Sequence, residues 1–157
     1  MGICQTAKPD QDSNFNKFKE NEESLGLHHI HFQDLAPKMA AWKDAKVTAD
    51  DYIDAISNLP GGLELTEDNK AVLRRLLTHS LFLERRFLNT QSLFSLGLLM
   101  SKGKTKEKMH QLIKLIDQNE DGILATTKVQ QIMEQMTIIT ALLIPIIRFI
   151  DAFPTVG

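Results

Sequence analysis

Asp117-Gln118-Asn119-Glu120-Asp121-Gly122-Ile123-Leu124 is the stretch on which the reading of the fold turns. Asp117, Asn119 and Asp121 alternate, so their side-chain oxygens fall on one side of a tight turn, as a hard cation requires. Gly122 permits the sharp reversal, Ile123 offers a backbone carbonyl, and Leu124 is placed to pack the turn into a core. Helical periodicity brackets the run. Met109, Leu112, Ile113 and Ile116 precede it, and Val129, Ile132, Met133 and Met136 follow at three- and four-residue steps. Thr127 and Gln130 stand at the spacing of a capping box.

The same loop departs from a metal-holding pattern where it closes. Its twelfth position is Lys128, an ammonium with no lone pair to donate, and its ninth is Ala125, with no side-chain oxygen. Half of the side-chain ligands remain and the strongest is missing, so calcium binding is expected to be weak or absent. Lys128 is expected to fold onto Asp117 and Asp121 as a built-in substitute cation.

With helices on both sides, the run resembles the loop of the EF-hand calcium-sensor superfamily in a degenerate form. More loosely, the chain resembles N-myristoylated members of that group, the neuronal calcium sensors and calcineurin-B-like proteins. The resemblance implies an all-α fold of helix-loop-helix pairs, mostly with degenerate loops. It also implies a metal set of Asp117, Asn119, Asp121 and the Ile123 carbonyl, with calcium as the only candidate cofactor. Two earlier segments, 81–92 and 40–51, stand where the family would place further loops. Both lack ligands at the first and third positions, although the second keeps Asp44 at five, Val47 at eight and Asp51 at twelve.

The N-terminus carries a second signal. Met1-Gly2-Ile3-Cys4-Gln5-Thr6 fits N-myristoylation at Gly2, and Cys4 beside it is placed for palmitoylation. One myristoyl chain binds a bilayer only marginally, so a second anchor is expected. Lys8, Lys17 and Lys19 are interleaved with acidic residues and form no basic patch, which leaves Cys4 as that anchor. Residues 1–25 are therefore read as an acylated flexible tether. Residues 26–157 are read as a helical domain with lobes at about 26–101 and 105–157.

The remaining elements are expected from caps and periodicity. A helix over 27–43 is disturbed by Pro37, and Thr48 through Asp51 form a capping box for Tyr52, Ala55 and Ile56. Pro60-Gly61-Gly62 ends that helix, and Thr66 opens the next, carrying Val72, Leu73, Leu76 and Leu77. A helix of Leu93, Leu96 and Met100 follows, then a basic linker over 102–108, read mainly as solvated surface. The final stretch, 138–150, is apolar nearly all round and is expected to be buried, as an internal plug in a helical groove. The methionines are read first as core filling and second as an adaptable partner surface. No clear strand or hairpin signal is present.

Composition narrows the function. The chain has 157 residues, 43% hydrophobic and 24% charged, and 18 basic against 20 acidic side chains give a net charge of -2. That size accommodates one domain or two small lobes, and that balance gives no field for nucleic acid. A lone cysteine excludes an internal disulfide. His28, His29 and His31 lack a fourth ligand partner for zinc, and no phosphate loop, nucleophile elbow or zinc-protease helix occurs, so no enzyme is expected. The expectation is a regulatory or adaptor protein on the cytoplasmic side of a membrane, tethered by acyl groups and binding a protein partner. The alternatives are a constitutive structural subunit of a membrane or cytoskeletal assembly, and, more weakly, a true calcium sensor.

Overall fold

The first turns of two helices show why the chain breaks where it does. Thr48 Oγ1 accepts from the Asp51 N–H at 3.2 Å and the Asp51 carboxylate accepts from the Thr48 N–H at 3.1 Å. These bonds hold the Asp51 carboxyl below its usual range. Thr66 and Asn69 repeat the reciprocal pair. Two orphan donors are satisfied at each helix start. A computed structural model describes residues 9–42, 45–117 and 122–148, and side chains from residue 16 onward except Leu115.

Seven α-helices make up most of the described residues: α1 Pro9–Glu23, α2 Phe32–Ala41, α3 Ala49–Ser57, α4 Glu67–Leu76, α5 Thr90–Met100, α6 Thr105–Ile116 and α7 Thr126–Ile138. One small antiparallel hairpin, β1 Leu83–Glu84 and β2 Phe87–Leu88, interrupts the helices. The mainly helical character matches expectation; the hairpin was not anticipated. Leu88 N–H also donates to the Val47 carbonyl at 2.7 Å, so the hairpin is tied to the segment between α2 and α3.

α5 is the axis of the molecule. Ser92, Leu93, Phe94, Ser95, Leu96, Gly97, Leu98 and Met100 are all buried, which leaves it almost no solvent face. α2 and α7 pack on it, and so does the 3-10 turn Leu27–His29. Gly97 sets the approach of α2: a Cβ there would lie 3.0 Å from Leu35 Cδ2 and 3.2 Å from Met39 Cε. Phe32 and Phe94 meet edge-to-face across the same contact, with ring centroids 5.5 Å apart. α3 and α4 pack on each other through Tyr52, Ile53, Ile56, Val72, Leu73 and Leu76, with Trp42 against Tyr52.

Between α3 and α4, Gly61 has φ +84, and a Cβ on it would fall 2.0 Å from the His29 carbonyl oxygen. Only glycine fits there. Gly26, at φ +75, turns the chain out of α1; a Cβ would meet Leu65 Cδ2 at 2.5 Å.

Two expectations are corrected. Residues 7–25 were read as a flexible tether, yet Pro9–Glu23 is helical, with Pro9 at the first helical position where its missing N–H costs nothing. Its end is tied down: Asn21 Nδ2 donates to the Ile144 carbonyl at 3.0 Å, Asn69 Nδ2 donates to the Ser24 carbonyl at 2.8 Å, and Phe18 packs on the core. The last stretch is buried on one side only. Ile139, Leu143, Ile144 and Ile147 are in the core, but Leu142 is 61% and Ile146 39% exposed. α7 continues into it as a π turn, Ile139–Leu143, and a 3-10 turn, Ile144–Ile146. Pro145 explains the change of pitch, because it has no N–H for the regular helical bond and its ring crowds the preceding turn. As for the two lobes, one continuous core cluster runs from Leu25 to Ile147.

The Gly97 contact makes a graded prediction. Gly97→Ala meets the mobile ends of Leu35 and Met39 and is expected to be nearly neutral in thermal melts. Gly97→Val adds two methyl groups to the packed contact and is expected to cost about 1–3 kcal/mol.

Two histidines give the fold a pH dependence. His79 Nδ1 accepts from the Leu81 N–H at 3.0 Å, and burial holds its pKa below the ordinary value. His28 is also lowered, by burial first and by His29 second. A depressed histidine pKa means that the unfolded chain binds more protons as the pH falls through the ordinary histidine range. Stability is therefore expected to be full above pH of about 6.5 and to decline below it. His79→Gln should flatten the slope of Tm against pH between about 5 and 7.

Candidate functional site

The sequence-predicted turn lies between α6 and α7, as its flanking periodicity requires. Asp117 ends α6 with its N–H on the Ile113 carbonyl at 2.8 Å. Its side chain then reaches forward, and Oδ2 accepts the Gly122 N–H at 2.9 Å. Gly122 has φ +76 and open space where a Cβ would stand, so its requirement is conformational and not steric. One carboxylate at the C-cap of α6 thus holds the N–H of the glycine that precedes α7.

Of the candidate metal ligands, Asp117 is half-buried and Ile123 is 73% exposed. Asn119 and Asp121 lie outside the described residues, as do the lipidation candidates Gly2 and Cys4. Lys128 is half-buried in the first turn of α7. A cation there faces the positive end of the helix dipole, an unfavourable place for it. Among the described residues, no group of three or more His, Cys, Asp or Glu side chains could hold a metal ion.

Other details differ from expectation. α7 begins at Thr126 with Ala125 as its cap and no side-chain cap bond, so the Thr127 to Gln130 spacing is not a capping box. Ala125 has no side-chain oxygen to offer, and Thr127 is already helical. Leu124 is 39% exposed and does not seal the turn into the core.

The two earlier loop segments face each other. Val47 is the eighth residue of 40–51 and Leu88 the eighth of 81–92, and the Leu88 N–H donates to the Val47 carbonyl. The helices on either side are α2 with α3 and α4 with α5.

Around the third turn, α6 packs on α2 and α7 packs on α5. Lys108 Nζ donates to the Leu98 carbonyl at 3.0 Å and to the Ser101 carbonyl, at the C-terminal end of α5. A cation there suits the helix dipole, and burial lowers its pKa. On the other side, Ser95 Oγ donates to Gln135 Oε1 at 2.8 Å and Gln91 Nε2 donates to Gln131 Oε1 at 3.4 Å. These polar rungs fix the register of α7 on α5.

Sequence reasoning missed what this arrangement exposes. Met109 is 47%, Ile113 45% and Met133 62% exposed, although all three were read first as core residues. Helical period alone gives a face, not its partner. Thr126–Ile146 is a helical run of 21 residues, long and apolar enough by length and composition to cross a membrane; its 18-residue apolar window has mean hydropathy 1.3 and is 22% buried. Its inward residues share the core with α2 and α5.

No family model, curated protein or solved structure matches the chain.

The Asp117 closure can be tested directly. Asp117→Ala removes the acceptor for the Gly122 N–H and is expected to cost about 1 kcal/mol in urea unfolding. Asp117→Asn keeps an acceptor oxygen and should cost less than half as much.

Proposed function

We propose that this chain is a membrane-tethered, EF-hand-like regulatory or adaptor protein that engages a protein partner and binds calcium weakly or not at all. The observation that carries the reading is the turn between α6 and α7, where the Asp117 carboxylate closes onto the N–H of a glycine at positive φ. A loop built to wrap a cation needs its first carboxylate beside such a turn. Support also comes from the two earlier helix-loop-helix units, α2 with α3 and α4 with α5, whose loops meet at Val47 and Leu88. That arrangement suits loops that keep the shape without the metal chemistry.

Partner binding is read from the exposed methionines. Met109 and Met133 lie outside the core, and Met faces adapt to varied apolar surfaces. Membrane tethering is read from Gly2 and Cys4, and mass spectrometry of the native protein for acyl groups tests it separately.

The metal half of the proposal has a sharper test. Lys128→Glu restores the closing carboxylate and places an anion in the first turn of α7, where the helix dipole favours it. Calorimetric titration with calcium is expected to give negligible heat for the native chain and a Kd below about 1 mM for the variant. Without calcium, the variant should gain about 0.3–1 kcal/mol of stability from the helix dipole. A stabilised variant that still takes up no calcium would show that the turn has no metal-loop geometry, and the EF-hand reading would fall.

A further inference from the structure

We propose that α6 and the segment leading into it form a docking face for an anionic lipid surface, independent of any acyl group at the N-terminus. The face is a single helical stripe. Lys106, Met109 and Ile113 fall at three- and four-residue steps on α6, Lys114 stands four residues after His110 and eight after Lys106, and Lys106, Met109, Ile113 and Lys114 are all exposed. His110 lies between them on the same side, also exposed. Lys102 and Lys104 extend the stripe from the preceding segment and are exposed as well.

Charge decides the occupant. Four lysines stand on this stripe in a chain whose net charge is -2, so the basicity is local. Among the described residues none of the four takes part in an ion pair. The one acidic side chain within α6, Glu107, stands seven residues before Lys114 on the adjoining side of the helix, with Oε2 3.8 Å from His31 Nε2. Lys108 is also withdrawn, since its ammonium is held by the end of α5. Beyond the far end of the stripe, the Asp117 carboxylate accepts from the Gly122 N–H, and Glu120 and Asp121 lie outside the described residues.

What remains outward is basic at both ends and apolar in the middle, over a 12-residue helix about 18 Å long. An interfacial helix has this layout, with Met109 and Ile113 entering the acyl boundary while lysine stems reach up to the headgroups. Clusters of four to eight basic residues are the sequence scale at which anionic lipid surfaces are recognised. The patch also supplies what the first 25 residues lack, a basic complement to a single acyl chain.

The test uses the full chain made without acylation, so that it is separate from the lipid chemistry at Gly2. Cosedimentation is measured with vesicles of phosphatidylcholine alone and with about one third phosphatidylserine. Binding is expected only to the anionic vesicles, and it should weaken as salt rises. The double variant Lys106→Glu/Lys114→Glu should lose at least tenfold in partition, and Met109→Ser/Ile113→Ser should lose several-fold at unchanged lysine content. All four positions are exposed, so circular dichroism and Tm should stay unchanged; if charge reversal perturbs the fold, Lys106→Ala/Lys114→Ala gives the same reading. Equal binding to neutral vesicles, no binding to either, or indifference to these variants would overturn the proposal. So would variants that abolish binding to a polyglutamate peptide while leaving vesicles unbound, which would assign the face to an acidic protein segment.

Discussion

Burial of α5 on every side is the constraint on which the rest of the structure depends. A helix with no solvent face must be enclosed by several elements, and here α2, α7 and the turn at Leu27–His29 share the work. Gly97 makes the enclosure tight, because the missing side chain lets Leu35 and Met39 of α2 reach the backbone of α5. Buried serines are the cost of that position. Ser95 and Ser101 return their hydroxyls to the helix carbonyls of Gln91 and Gly97, while Ser92 Oγ is buried without a partner. A helix of Leu, Phe, Ser and Gly is thus stabilised by its surroundings far more than by its own propensity.

The same helix determines how the second half is hung on the first. α6 reaches α5 through Lys108, whose ammonium meets the C-terminal carbonyls where the helix dipole favours a cation. α7 reaches it through Gln131 and Gln135 and the buried Ile132. Each helix of this last pair is therefore positioned by an element of the first half. Their outer faces keep Met109, Ile113 and Met133 exposed, and neither a hydrophobic seam nor a shared core of their own is needed to hold them in place. One continuous core, and not two separate ones, follows from this arrangement.

What was legible in the sequence was chemistry carried by neighbouring residues. The capping box at Thr48 is decided within one turn and stands as expected, and the helix start read at Thr66 carries a second box. Asp117 and Gly122 were both read as parts of the turn, though not the bond between them, since Lys128 was expected to fold onto the Asp117 carboxylate. What was not legible depended on distant partners. The hairpin at 83–88 has only two residues in each strand and no turn signature; it is held partly by the Val47 carbonyl from a remote segment. α1 has no apolar stripe to announce it, and Asn21 finds its acceptor 123 residues away at Ile144. Met109 and Met133 sit at the right helical steps for a core, but period identifies a face without saying whether anything covers it. The exposure of that face could only be read in three dimensions.

Three of the interhelical segments solve one problem by two means. A turn between helices leaves backbone donors and acceptors that must be satisfied. The segments before α3 and before α5 satisfy part of theirs mutually, through Leu88 and Val47, and so lock two helix pairs to each other. The turn before α7 uses its own Asp117 carboxylate for Gly122 instead. A backbone pairing between two loops is indifferent to charge, whereas a turn closed by a carboxylate responds to any cation brought beside it. Lys128 stands in the first turn of α7 within the same loop, at a place where the helix dipole disfavours it. Electrostatic sensitivity is thus concentrated in the unit whose helices also carry the exposed methionines and the lysine stripe.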